Sequence, residues 1–159
     1  MRQKLDHLDY HILNILQEDG RITNSKLAEQ VGLSAPPMSE RVKKLERSGL
    51  IKGYRAILDH EALGRSFAAY VAINVDVKQL NYVSDLESRL RELEEVVECY
   101  HIAGGIDFLL KVQVESQEGY KRFVVDRLSH IEGLNKIHTW VVLSTVKEGA
   151  AVPLTPQED

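Results

Sequence analysis

Between residues 34 and 49 the chain reads Ser-Ala-Pro-Pro-Met-Ser-Glu-Arg-Val-Lys-Lys-Leu-Glu-Arg-Ser-Gly. Hydroxyls (Ser34, Ser39), a carboxylate (Glu40) and cations (Arg41, Lys43, Lys44, Arg47) fall together there. Such groups hydrogen-bond base edges and neutralise phosphates, the two tasks of a helix lying in a DNA major groove. The plainer reading of the same stretch is a solvated surface helix. Thr23 and Asn24, at the head of the preceding helical segment, are further DNA-binding candidates. A second locus is Gly104-Gly105-x-Asp107. Consecutive glycines bare backbone N–H groups that hold a carboxylate, and Asp107 would accept from an ammonium. That pairing suits a free amino acid. Against it stands a simple tight hairpin turn, with the two glycines supplying positive φ angles. His7 and His11 are four apart but lack a third ligand, so no metal site is expected. His101 and His138 lie in strands near the glycine loop, where histidines are commonly structural. Cys99 alternates with apolar neighbours and reads as a buried strand residue. No nucleophile–base spacing, phosphate-cradling glycine loop or cofactor motif is present, so no enzyme and no cofactor are expected.

These groups need elements to position them. Met38, Val42 and Leu45 form one narrow apolar stripe, opposite the cations. Ser34 is the expected N-cap, Pro36 and Pro37 fit the first turn, and Gly49 closes the helix. Upstream, Asp6 with Asp9 forms a capping box for a helix that buries Leu8, Ile12, Leu13, Ile15 and Leu16 and ends at Gly20. Thr23 or Asn24 starts a short helix with Leu27, Ala28 and Val31 inward; Gly32 breaks it and Leu33 plugs the core. Helix, glycine turn, cation-bearing helix is the spacing of a helix-turn-helix. Charge is divided accordingly. Residues 1–59 hold 10 Lys+Arg and 8 Asp+Glu, net +2, whereas residues 60–159 hold 10 and 16, net −6. From Arg41 to Arg55 six cations face Glu46 alone. The positive charge is local, as a phosphate footprint would be.

Leu50 to Leu58 is β-prone and is expected to be a linking strand or hairpin arm. Beyond it the period changes. Strands are expected over 67–77, 96–102, 106–114 and 134–147, with a helix carrying Val83, Leu86, Leu90 and Leu93 after the first. A second, capped by Ser116 and burying Tyr120, Phe123, Val124, Leu128 and Ile131, precedes the last. The order β-α-β-β-α-β is a four-stranded antiparallel sheet with helices on one face. Its other face is partly apolar and calls for a cover, most simply a second copy. The expected class is α+β, with a helix-turn-helix domain (1–49), a linker strand (50–65), a ferredoxin-like βαββαβ domain (66–148) and a loose tail (149–159). Apolar content of 43% and charged content of 28% are ordinary for a globular protein. No apolar run approaches the roughly 20 residues of a bilayer span. The N-terminus lacks a signal peptide's apolar core, and one cysteine allows no internal disulfide; a cytoplasmic home follows as the expectation.

Jointly, these motifs resemble the leucine-responsive regulator/AsnC (feast/famine) family. The resemblance runs from residue 5 to about 148. It is carried by Leu5-Asp6-x-x-Asp9, Gly20-Arg21-Ile22-Thr23-Asn24, Leu27-Ala28-x-x-Val31-Gly32-Leu33-Ser34, Arg41-Val42-Lys43-Lys44-Leu45-Glu46 and Gly49-Leu50-Ile51-Lys52-Gly53-Tyr54. In the second half it rests on Gly104-x-x-Asp107-Phe108-Leu109-Leu110 and Thr139-Trp140-Val141-Val142. It implies transcription regulation, an ACT-like sensing and assembly role for the second domain (66–148), dimers built through that domain, assembly into rings such as an octamer of four dimers, pseudo-palindromic DNA sites and an amino-acid effector. Two departures stand out: Gly105 replaces a usual acidic residue, and Ile137 with Thr139 stands where two threonines are common. Ligand-binding candidates are therefore Gly104, Gly105, Asp107, Ile137 and Thr139, and Ile137, making that wall more apolar, points to a neutral, apolar or sulfur-containing amino acid. A ligand-independent architectural protein that bends or wraps DNA around an oligomer is the alternative.

Overall fold

The structure, a computed structural model, describes residues 4–75 and 82–156. The chain forms two compact units, one of residues up to Ile57 together with those from Lys147 onward, the other spanning Leu58–Val146.

The first unit holds three helices: α1 (His7–Glu18), α2 (Asn24–Val31) and α3 (Ala35–Arg47). The capping box at α1 is complete, with Asp9 N–H donating to Asp6 and Asp6 N–H returning to Asp9. Gly32 closes α2 at φ +74°, a left-handed conformation that costs glycine little, and Leu33 N–H bonds back to Ala28. Ile12, Leu27, Met38 and Leu45 are fully buried and Val42 nearly so, each burial stabilising the bundle by about 1.5–3 kcal/mol. Gly49, at φ +76°, takes the turn out of α3.

Three features differ from expectation. Ser34 is the N-cap of α3, yet its side chain makes no cap bond. The amides that an N-cap oxygen accepts from are those of the second and third helical residues, and here both are prolines without N–H. Residues 51–59 form no strand, and none of the described strands pairs with them. Tyr54 instead lays its ring against Gly20 and donates its hydroxyl to Glu46 at 3.1 Å. Finally, the segment read as a loose tail is bound to α1. The Gln17 amide both donates to and accepts from the Val152 backbone (3.0 and 2.8 Å), and Asn14 Nδ2 donates to Leu154 O at 3.0 Å.

The second unit contains β1 (Phe67–Val75), α4 (Tyr82–Arg91), β2 (Val96–His101), β3 (Phe108–Val114), α5 (Gln117–Arg122, with its helical path continuing to His130) and β4 (Leu134–Val141). All pairings are antiparallel in the order β2-β3-β1-β4, the ferredoxin-like arrangement expected. Phe108, Leu110, Val112 and Val114 alternate inward along β3 and meet Leu86 and Leu90 of α4 and Phe123 and Leu128 of the second helix. Five residues of regular α-helix would turn about 140° past a full turn. The path widens over Phe123–Arg127, which brings Phe123 and Leu128 to the same core. The expected Val77 and the side chain of Val83 lie outside the described residues. The last strand ends at Val141, earlier than Lys147.

Candidate DNA-binding face and ligand loop

Burying Met38, Val42 and Leu45 fixes what α3 shows to water. Glu40, Lys43, Lys44 and Arg47 are exposed and Ser39 is half-buried. Glu40 lies 3.4 Å from Lys43 and 3.8 Å from Arg47. These are exposed pairs of little energetic weight, which a phosphate can displace. Thr23 caps α2 by accepting from Lys26 N–H at 3.3 Å, which leaves its hydroxyl proton to donate, and Asn24 stands exposed beside it.

Arg41 is placed otherwise. Its Nη1 donates to Asp6 at 2.7 Å and to Asp9 at 2.8 Å. With the capping-box amides, all four oxygens of the two carboxylates are then engaged. Asp9 is only 4% exposed, so this guanidinium neutralises a buried carboxylate and ties α3 to the start of α1. Burial pushes the Asp6 carboxyl upward, but the Asp9 amide and Arg41 outweigh it and hold its pKa below the ordinary value. The flank position was legible, since Arg41 lies three after Met38 and four before Leu45 beside the buried stripe, but its carboxylate partners were not.

In the second unit, residues 102–107 join β2 to β3. Gly104 and Gly105 are exposed and neither has a positive φ, so the tight-hairpin reading with two left-handed glycines does not hold. A Cβ on either would meet nothing within 4 Å. The loop is held from below instead. Asn74 Nδ2 donates to Gly105 O at 3.0 Å, Asp107 N–H to Ile73 O at 3.0 Å, and Val75 N–H to the Asp107 carboxylate at 2.8 Å. The Asp107 side chain thus receives a donor at the irregularity between Asn74 and Val75, where β1 slips against β4.

Ile137 sits opposite Ile73 in β4, beside this end of β1, and packs on the core. Thr139, one side-chain step further, shares a hydrogen bond of 2.5 Å with Tyr120, whose own hydroxyl is pushed up in pKa by burial, Thr139 acting against it. The structure therefore gathers Gly104, Gly105, Asp107 and Ile137 at one end of β1 and commits Thr139 to α5. Asn74 and Tyr120 were not visible as partners in the sequence, since strand register brings Asn74 there and the packing of α5 against the sheet brings Tyr120. The two histidines do not share a site. His101 stacks on Phe108 (4.7 Å) on the helix side, and His138 lies near Trp140 (6.3 Å) on the open face.

Cys99 is exposed, contrary to expectation, because β2 is an edge strand. It lines a half-open cavity of about 420 Å³ with Glu87, Arg91, His101 and Phe108. Burial first, and Glu87 next, raise the thiol's pKa, the opposite of an activated nucleophile.

Both faces match known families. Residues 68–152 fit the Lrp/AsnC ligand binding domain and residues 5–52 a winged helix-turn-helix DNA-binding domain. The leucine-responsive regulatory protein of Klebsiella pneumoniae is 39% identical over 144 residues, covering 91% of this chain and 88% of that protein. The chain belongs to the Lrp/AsnC family. The leucine-responsive regulatory protein of Escherichia coli K12 is 38% identical over the same shares of both chains. Among solved structures, a Neisseria meningitidis transcriptional regulator in complex with L-Met superposes with TM-score 0.88 at 32% identity, covering 94% of this chain and 96% of that one. Escherichia coli AsnC superposes with TM-score 0.82 at 26% identity, covering 91% and 95%. Membership of this family makes the chain a DNA-binding transcription regulator with a ligand-binding second domain. Among the described residues no helix is long and apolar enough to cross a membrane.

Proposed function

We propose that this regulator reads pseudo-palindromic double-stranded DNA as a cytoplasmic homo-oligomer, and that a neutral amino acid bound at the Gly104–Asp107 loop modulates it. The observation that carries the DNA half is the burial of the Met38, Val42 and Leu45 stripe, which leaves Ser39, Glu40, Lys43, Lys44 and Arg47 outward. Lys43, Lys44 and Arg47 neutralise phosphates, with Thr23, Asn24 and Ser34 donating to the backbone. Ser39 and Glu40 approach base edges, Glu40 as an acceptor. Arg41 holds the unit together and reads no base.

Support for assembly comes from the sheet face opposite the helices. Tyr100 and Trp140 stand about half exposed there, and nothing among the described residues covers them. A second copy would cover that face and set two α3 helices for two half-sites, and four such dimers would make the octamer implied by the resemblance. Support for the effector comes from the bared glycine backbone beside Asp107 and from the methionine complex of the Neisseria regulator. Ile137 makes one wall apolar, which favours an aliphatic or sulfur side chain over Asp, Glu or Lys. One observation favours the architectural alternative: Asp107 and Thr139 both already have partners within the chain.

Lys44→Ala tests the assignment of roles. It should weaken every sequence about equally and flatten the log–log salt dependence of binding by about one unit. A loss confined to one operator base pair would contradict it. A melting screen with the twenty amino acids separates the effector reading from the architectural one, since a ligand of the folded state raises the midpoint.

A further inference from the structure

Resting on the DNA-binding reading, we propose that Ala35, Pro36 and Pro37 read the C5-methyl groups of thymines and thereby set part of the operator preference. In helix-turn-helix docking the first turn of the second helix lies deepest against base edges. Here that turn carries three consecutive exposed apolar side chains, in a helix whose other apolar side chains are buried.

The same turn is poor in donors. Pro36 and Pro37 have no N–H, and Met38 N–H is bonded to Ser34 O at 3.3 Å. The backbone therefore offers Ala35 N–H alone to the acceptors of the groove. Arg41, four residues past Pro37, is held by Asp6 and Asp9, and the nearest exposed cation of α3, Lys43, is six residues past Pro37, about 9 Å along the axis. An apolar, rigid, donor-poor tip has one complementary group on the major-groove edge of the unmodified bases, the thymine methyl. Proline rings also meet it with little rotameric freedom to lose. Ala35, Pro36 and Pro37 add selectivity to the face already described and make no separate site.

The test uses the full-length chain. Its operator is selected from a random DNA library, and thymines are then replaced singly by uracil, which removes only the methyl. The expected result is a loss of about three- to five-fold in affinity at one or two positions per half-site. Because no charge changes, that loss should be the same at low and high salt. Pro36→Ser and Pro37→Ser should abolish the difference between thymine and uracil at those positions. Pro37→Ser also restores an N–H for Ser34 to accept from, so its melting temperature should not fall. Specific binding that is indifferent to every uracil replacement would overturn the inference, as would a thymine–uracil difference that persists in both variants. A library that yields no selected sequence overturns the sequence-specific DNA reading itself, and this inference with it.

Discussion

Replacing Arg41 with Ala is expected to destabilise the N-terminal unit by about 2–3 kcal/mol. Removing one member of a buried ion pair costs about 3–5 kcal/mol. Arg41 is 31% and Asp6 50% exposed in their side chains, so solvent screening reduces that figure. Asp9 cannot escape in the same way, because its carboxylate is left buried beside its own helix. Thermal unfolding followed by helical circular dichroism measures the loss. Asp9→Asn in the Arg41→Ala background should recover much of it, since an amide oxygen still serves the capping box and carries no charge.

The pH dependence has a definite sign. The Asp6 pKa is lowered in the folded state, so its contribution to stability is present above the unfolded carboxylate pKa of about 3.9. It is lost as pH falls through the lower folded value. The wild type should therefore lose more stability in that acid range than Arg41→Ala does. An Arg41→Ala protein that melts like wild type but misreads one operator base would return Arg41 to base recognition.

Asp107 carries the second large effect, and two substitutions separate its roles. Asp107→Ala removes the acceptor for Val75 N–H and the proposed acceptor for the ligand's ammonium. Leaving a donor unpaired costs about 1–3 kcal/mol of stability, and losing the charged hydrogen bond costs about 2–3 kcal/mol of affinity, roughly 30- to 150-fold. Asp107→Asn keeps an oxygen for Val75 and should restore melting while leaving amino-acid affinity low. Isothermal titration of both variants distinguishes the cases. Wild-type affinity in Asp107→Asn would remove Asp107 from the ligand site and leave it a strand-end cap.

The contrast between these two residues shows what the linear sequence discloses. Periodicity gave the α3 stripe, the strand order and the helical partners of the sheet, because side-chain spacing reports directly on one buried face. Capping signals located α1 and the glycine turn after α2 for the same local reason. What escaped was set at a distance. Arg41 meets carboxylates more than thirty residues earlier, and Val75 reaches Asp107 only through strand register. The docking of residues 152–154 on Gln17 and Asn14 spans most of the chain and has no periodic signature. Alternation in β2 could not tell an edge strand from a central one, which is why the sequence pointed to a buried Cys99 where the edge position leaves it exposed. The missing Ser34 cap is a different case: it follows from the proline N–H count alone, a local rule outweighed by the familiar look of a serine before a helix.

The most direct measurement is the affinity of the full-length chain for its selected operator, determined by fluorescence anisotropy with and without each neutral amino acid. The expected result is that at least one aliphatic or sulfur-containing amino acid at millimolar concentration changes that affinity at least five-fold, a coupling of about 1 kcal/mol, and that Asp107→Asn abolishes the change while leaving the ligand-free affinity intact. Operator affinity indifferent to all of them, or responding only to Asp, Glu or Lys, would contradict a neutral amino-acid effector at the Gly104–Asp107 loop.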